Sequence, residues 1–478
     1  MDASDFRGKR VAVIGLGRTG VAVAEALCAL SAHVQIYDCK SRESLGDVTD
    51  RVQSAGAELH LGSDEVDVEN IDLLIPSPGV PRTHPSLLKA LNAGVEIISE
   101  IELAYRIARC PIIAVTGTNG KTTTTVLTGL MLAADGRKTY VAGNVAGARV
   151  QSDVGICEGP MPLVTAAAKA DSDSVIVAEV STFQLEWIKS FRPTVAALLN
   201  ISCDHLDRHA DLREYAALKA RIFENQKPND CAVVNADNTL TAEISRSLQS
   251  RVLLFSRVRE VAEGSFLRGD SLVVRLEGRE EVICSRAEIL IPGAHNLENV
   301  LAASCAAVAF GVSPISAARA VRSFRGVEHR LETVAVIDGV RYVNNSMCTN
   351  VEAAVRSTEA IEAPQIVIAG GKDKGSDFGP LVEAFKRKAK HVILIGADAD
   401  VIMNAARRAG FERMSQAPTL EDAVAQARSL AEPGDVVILN PACASFDMFE
   451  SFEHRGKVFR DIVLSYKEST CCRKQCSD

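Results

Sequence analysis

Two glycine-rich turns in this chain stand where phosphates bind. In GLGRTG, Gly15, Gly17 and Gly20 follow the apolar stretch RVAVI and open a helical pattern that runs to Leu30. Glycines at that spacing let backbone N–H groups close on a diphosphate at a helix N-terminus. Asp38, at the end of the next apolar stretch, sets a carboxylate where a ribose would lie. The motif accepts any diphosphate-containing nucleotide, and a glycine turn without ligand is the alternative. The second turn, TGTNGKTTT, follows PIIAVT. Its Gly120-Lys121-Thr122 core is that of a P-loop: backbone N–H groups wrap the phosphates, Lys121 reaches the terminal ones, and the Thr122 hydroxyl can hold Mg2+. Val115 stands where the usual loop has its first glycine, so this is a shortened variant with Gly117.

A group of acid, histidine and lysine residues follows. Glu179 closes SVIVAE, a strand end where P-loop enzymes carry a metal-binding or water-orienting carboxylate. NISCDHLDRH sets Asp204 and His205 just past another strand. LREYAALKARIFENQ reads as an amphipathic helix over 212–226, with Leu212, Tyr215, Ala216, Ile222 and Phe223 on one face and Lys219 inside that face. Taken singly, Asp204 could cap a helix, His205 could be a satisfied loop histidine, and Lys219 could snorkel to water along apolar surface. Taken together behind a P-loop, they favour a metal–phosphate site. A dehydrogenase would leave the P-loop idle and a simple NTPase switch would leave the first turn idle. An ATP-driven enzyme acting on a nucleotide-linked substrate uses both.

The elements that must position these residues are strands rich in Val and Ile alternating with helices, which predicts an α/β fold. Domain boundaries are placed near Arg109 and Arg325, giving domains 1–108, 109–324 and 325–478. A more polar, strand-like stretch occupies 251–290. With 478 residues the chain exceeds one core. Its net charge of −8 and the lack of a long basic run argue against nucleic-acid or membrane-surface binding. No apolar run suggests membrane insertion and no secretory signal is read. Thirteen cysteines without framework spacing suggest a reducing cytoplasm. The tail STCCRKQCSD reads as a frayed terminus.

The order GLGRTG, SPGVP, TGTNGKT, EVSTFQLE, DHLDRH, LKARIFEN, GAHNLENVLAA, HRLE, GGKDKG and PACASFDMFESFEHRG resembles the Mur ligases, and within them the D-glutamate-adding branch. The resemblance covers nearly the whole chain. It implies a Rossmann-like N-terminal domain for a UDP-linked substrate, a central P-loop ATPase-like domain, and a Rossmann-like C-terminal domain for the amino acid. The implied reaction joins D-glutamate to UDP-N-acetylmuramoyl-L-alanine through an acyl phosphate, in peptidoglycan precursor synthesis in the bacterial cytoplasm, by a monomer. An L-glutamate-adding variant is the alternative. Folate-type glutamate ligases share the core but lack the N-terminal domain.

Carried over by position, Gly15, Arg18, Thr19, Asp38 and Gly79 should line the uridine-diphosphate site, with Asn144 reaching the sugar-peptide. Gly117, Thr118, Asn119 and Gly120 should wrap the phosphates of ATP, followed by Lys121, Thr122 and Thr123. Asn296, Asn299, Arg330 and Asn345 should also meet ATP. Thr122, Glu179, His205 and Lys219 should ligate Mg2+, as two ions, with Lys219 carbamylated. A lysine on an apolar face favours its neutral amine, which can take up CO2. Lys121, His205 and Lys219 are the implied catalytic residues. Thr349, Lys374, Ser445 and the backbone around Phe452 should hold glutamate.

One segment departs from the family pattern. Asn345-Ser346-Met347-Cys348-Thr349-Asn350 stands where the family reads Asp-Ser-Lys-Ala-Thr-Asn. Asn345 replaces an acid expected near the ATP ribose, and an amide can still hydrogen-bond hydroxyls. Met347 replaces a lysine, and a thioether is no cation. Lys372, extra in GGKDKG, is expected to compensate in part.

Overall fold

The computed structural model describes residues 3–145, 157–202, 211–373 and 375–475. They form two compact units. The first takes the chain up to Glu288 and again over Glu298–Ser323; the second takes Ile289–Leu297 and the chain from Phe324 on.

The first unit holds two sheets. One is five-stranded and parallel, with Arg10–Ile14 at its centre between His33–Asp38 and Leu73–Pro76, and Glu58–Leu61 and Glu96–Ile97 outside them. Strand order reverses at Arg10–Ile14, which opens a crevice at the carboxyl ends of the strands. The other sheet has ten strands. Its middle is parallel: Ile112–Thr116 lies between Val195–Leu198 and Ser174–Glu179. These strands are buried along their whole length and mostly apolar, as strands covered on both faces are. The polar stretch expected over 251–290 becomes the parallel strand Arg251–Ser256 and the antiparallel edge Gly264–Arg268, Ser271–Leu276 and Arg279–Ser285.

A buried carboxylate ties the two sheets together. Glu102, on the helix Glu100–Ile107, is fully buried and accepts the backbone N–H groups of Lys189, Ser190 and Phe191, the Ser190 hydroxyl and Arg106 Nε. Burial pushes its carboxyl up, but the Ser190, Lys189 and Arg106 bonds outweigh it and hold the group below the ordinary glutamate range. Two positions earlier, Glu100 accepts Val164 N and Gln184 Nε2, and burial prevails there, raising its carboxyl. Ile98, Ile101 and Leu103 pack in one core with Leu163, Val164 and Phe191. The first two sequence domains therefore share a core across the stretch that joins them.

The second unit carries a six-stranded sheet. Val340–Asn344, Val436–Leu439, Gln365–Gly370, Ala389–Ile395 and Met414–Gln416 run parallel, and Glu332–Ile337 pairs antiparallel with Val340–Asn344. Strand alternation splits its core by face: Val367 and Ala369 pack on one side with Phe385, Ile366 and Ile368 on the other with Phe459. The two outermost strands, Glu332–Ile337 and Met414–Gln416, were not anticipated from apolar runs, because edge strands are short and half polar.

Two expectations change. The helix predicted over 212–226 ends at Ala220 and tightens into a 3-10 turn over Arg221–Phe223. Arg221 there donates to the carbonyls of Leu185, Glu186 and Ile188, a tertiary demand that helical periodicity cannot show. The expected frayed tail is instead helical backbone through Gln475, within Phe452–Gln475. No helix among the described residues is long and apolar enough to cross a membrane.

Candidate active site

The P-loop turns out of the strand Ile112–Thr116 and enters the helix Lys121–Ala134 through Gly120. Gly120 has φ +85°, and a Cβ there would lie 2.1 Å from Asn299 Oδ1. The position thus needs glycine both for its backbone and for the close approach of Asn299. The loop is braced by a residue not singled out in the sequence. Asn200, nearly buried at the end of the neighbouring strand, accepts Asn119 N at 2.8 Å and donates to Asn119 O at 3.1 Å, and its own carbonyl accepts Thr118 N. Its only sequence signal was its place at a strand end in NISCDHLDRH.

Within this loop the reactive groups converge. Lys121 Nζ donates to the carbonyls of Gly117 at 3.0 Å and Thr118 at 2.9 Å. Thr122 Oγ1 donates to Glu179 Oε2 at 2.7 Å, both residues being buried. Lys219 is 2% exposed, and its Nζ donates to Gly117 O at 2.9 Å and lies 4.4 Å from the centre of the Tyr215 ring. It does not snorkel: the apolar face that bears it is turned to the P-loop. Asn119 Nδ2 is buried and has no hydrogen-bond partner among the described residues. Thr123 is buried in the first helical turn. Asn299 lies against the loop, its Oδ1 accepting from Thr124 Oγ1 at 3.4 Å. His205 and Asp204 lie outside the described residues.

The other glycine turn is built by close backbone approach. A Cβ on Gly20 would fall 1.9 Å from Gly15 O, and Ser77 Oγ donates to that same oxygen at 3.0 Å. Ser77 begins the loop that carries exposed Gly79, so the two loops close on one another. Asp38 is buried, and its two oxygens accept Leu16 N at 2.7 Å and Lys40 N at 2.9 Å, so the carboxylate also braces the glycine turn. Arg18 and half-buried Thr19 open the following helix. Arg18 reaches across to the carbonyls of Val145 and Pro160. Asn144, beside Val145, is tied by its N–H to Glu179 O at 2.9 Å. Arg18 thus reaches the segment whose Asn144 N–H is bonded to the backbone carbonyl of Glu179.

In the second unit, Arg330 is half-buried, with Nη2 3.1 Å from Met347 Sδ. His295 nearby is pushed down to about 4 by burial and by Arg356 and Arg330, so it is neutral at physiological pH. Asn296 is buried and donates to Pro292 O. Asn345 is buried, and both its amide hydrogens are used, on Ser357 Oγ and Asn440 Oδ1. Thr349 is half-buried, Ser445 is buried, and Phe452 O accepts from Ser346 Oγ at 2.8 Å. Lys374 lies outside the described residues. Lys372 is largely exposed and lies 3.6 Å from Asp398. Arg455 stands in the motif PACASFDMFESFEHRG, but no role is assigned to it from the sequence. It is buried on Ser346 and on the carbonyls of Cys443 and Ala444, and burial lowers its guanidinium to about 10.

Residues 9–99 match the N-terminal domain of MurD-like Mur ligases, 115–307 the Mur ligase middle domain and 329–443 the Mur ligase glutamate ligase domain. The chain belongs to the Mur ligase family. This Mur ligase is 46% identical over 465 residues to the UDP-N-acetylmuramoylalanine–D-glutamate ligase of Pelotomaculum thermopropionicum, covering 97% of this chain and 99% of that one. It is 44% identical to the ligase of the same name from Koribacter versatilis, with the same coverage. Among solved structures, the UDP-N-acetylmuramate-alanine ligase of Thermotoga maritima matches this Mur ligase with a TM-score of 0.59 at 18% identity, covering 96% of this chain and all of that one. At that identity the likeness is one of fold, here the three-domain Mur ligase architecture.

Proposed function

We propose that this chain joins D-glutamate to UDP-N-acetylmuramoyl-L-alanine at the expense of ATP, a step of peptidoglycan precursor synthesis. The observation that carries the reading is the convergence of Lys121, Thr122, Glu179 and Lys219 on one P-loop. It sits in a chain 40–46% identical along its length to ligases named for that reaction. Those names give the L-glutamate alternative no support.

Mur ligases use ATP and Mg2+. The donors fit a hard cation: the Thr122 hydroxyl and Glu179 carboxylate are adjacent oxygens. Bound there, Mg2+ would neutralise phosphate charge. Lys121 would leave the Gly117 and Thr118 carbonyls for the terminal phosphates, and the buried Asn119 amide offers a further donor. The alanyl carboxylate attacks the γ-phosphate and ADP leaves. The glutamate amine then attacks the acyl phosphate, a C–N bond forms, and phosphate departs with loss of a proton. The reading extends to a second ion held by His205 and Lys219. Lys219 Nζ would bond CO2 and lose a proton, giving an anionic oxygen donor; its burial against the loop supports this. Thr349, Lys374, Ser445 and the Phe452 backbone would hold the glutamate carboxylates. A monomer in the cytoplasm completes the proposal.

The test is phosphate release from ATP in the presence of UDP-N-acetylmuramoyl-L-alanine with D-glutamate, L-glutamate or neither. Release that requires D-glutamate is expected. Release indifferent to either isomer sinks the reading, and release with the L-isomer alone revives the alternative.

A further inference from the structure

Arg330 sits between two residues that resist their own backbone. His329 has φ +63° and Leu331 φ +46°, a region that bulky side chains rarely enter and that persists only where surroundings over-determine it. Two side chains accept from the backbone N–H groups of the pair. Glu332 Oε2 accepts His329 N at 2.9 Å, and Asn345 Oδ1 accepts Leu331 N at 3.1 Å. The turn that aims Arg330 is therefore fastened on one side by Asn345.

The orientation of Asn345 is dictated by what surrounds it. Asn440 is fully buried and spends its Nδ2 on Ala354 O at 2.9 Å and Thr358 Oγ1 at 3.0 Å. Ala354 O can only accept, so the Asn440 amide cannot flip, and its Oδ1 must face Asn345. Asn345 Nδ2 meets it at 2.8 Å and Ser357 Oγ at 2.9 Å. Position 345 must thus donate toward Asn440 and accept from Leu331 at once. An amide does both, whereas an ionised carboxylate of the same shape can only accept. A carboxylate would set oxygen against oxygen at 2.8 Å.

We infer that Asn345, locked by Asn440, is a positioning residue that fixes the strained turn presenting Arg330 to the nucleotide, and is not itself a ligand of the ribose. The inference rests on the reading of Arg330 as an ATP residue. It gives a physical reason for asparagine where the family pattern has an acid: the pair Asn345–Asn440 is a self-consistent alternative whose partners must change together.

The test measures ATP affinity by calorimetry on the full-length protein without acceptor substrate, and steady-state constants by phosphate release. Asn345→Asp is expected to weaken ATP at least tenfold while the KM for glutamate stays within twofold. Adding Asn440→Ser, whose hydroxyl can donate to the new carboxylate, is expected to recover at least half of that loss. The affinity ratio of 2′-deoxy-ATP or 3′-deoxy-ATP to ATP should match wild type within twofold. Arg330→Ala should weaken ATP, and Asn345→Asp on that background should add less than twofold. If Asn345→Asp does not fold, Asn345→Ser is read by the same deoxy-nucleotide ratio and the same Arg330 background. Unchanged or tighter ATP binding, a deoxy-nucleotide ratio altered more than fivefold, or equal weakening of every substrate would each overturn the inference. Wild-type protein that binds ATP but shows no amino-acid-dependent phosphate release would instead sink the proposed reaction, leaving the calorimetric arm to judge Asn345.

Discussion

Lys219 Nζ donates to the carbonyl of Gly117 at 2.9 Å, joining a helix to a phosphate loop 102 residues away in the chain. The contact brings a second lysine to the oxygen that Lys121 already shares. Removing the Lys219 side chain leaves that oxygen with Lys121 and strips the site of the group proposed to carry a carbamate. Lys219→Ala is expected to lower kcat by roughly 100-fold or more. Acetate or another short carboxylate added to the assay should restore part of it, measured as phosphate release. A fully active alanine variant would return Lys219 to packing alone.

Glu179→Gln keeps the shape of the side chain and an acceptor for Thr122 Oγ1 but removes the charge. Phosphate release should fall about 100-fold, and the Mg2+ concentration giving half-maximal rate should rise. Thermal melting should move little, since the hydrogen bond can survive. A Mg2+ requirement identical to wild type would count against Glu179 as a metal ligand.

Gly20→Ala tests the first glycine turn. The added methyl would meet Gly15 O at 1.9 Å, a backbone atom, so the turn itself must shift. Overpacking of this kind costs about 1–3 kcal/mol, or roughly thirtyfold in affinity at the middle of that range. The expected reading is a higher KM for the UDP-linked substrate with the KM for ATP unchanged. Equal KM values for both would separate this turn from substrate binding.

Glu102→Gln probes the link between the first two sequence domains. The carboxyl is held below the ordinary glutamate range: burial raises it, and the bonds from Ser190, Lys189 and Arg106 more than offset that. A group lowered on folding stabilises above its unfolded pKa, and the contribution fades as pH falls through the folded value. At pH 7 the variant should therefore lose about 3 kcal/mol, the scale of breaking one partner of a buried ion pair. The gap to wild type should narrow as pH drops below about 4.3, the ordinary glutamate value. Chemical denaturation across pH would show it, and a gap constant with pH would contradict the assignment.

The strands and both glycine-rich turns were legible in the sequence because their signals are local. An apolar run buried on both faces, a glycine forced by φ +85° at Gly120, and a strand feeding a helix all lie within a few consecutive residues. Motif order also sufficed to point to the Mur ligase family. What no local pattern could show is where a polar group finds its partner. Asp38 and Asn345 have the chemistry for a ribose, but nothing local shows that the fold bonds the first to Leu16 and Lys40 and the second to Leu331, Ser357 and Asn440. Asn200 and Arg455 lay inside quoted motifs but were given no role, because their partners come from other strands and loops. Lys219 was ambiguous for the same reason: its helix showed an apolar face, and only the packing of that face on the P-loop decided that the ammonium is buried. Side-chain type sets what a residue can bond, but a buried donor or acceptor must be satisfied within the fold, and long-range contacts alone choose which partner does so.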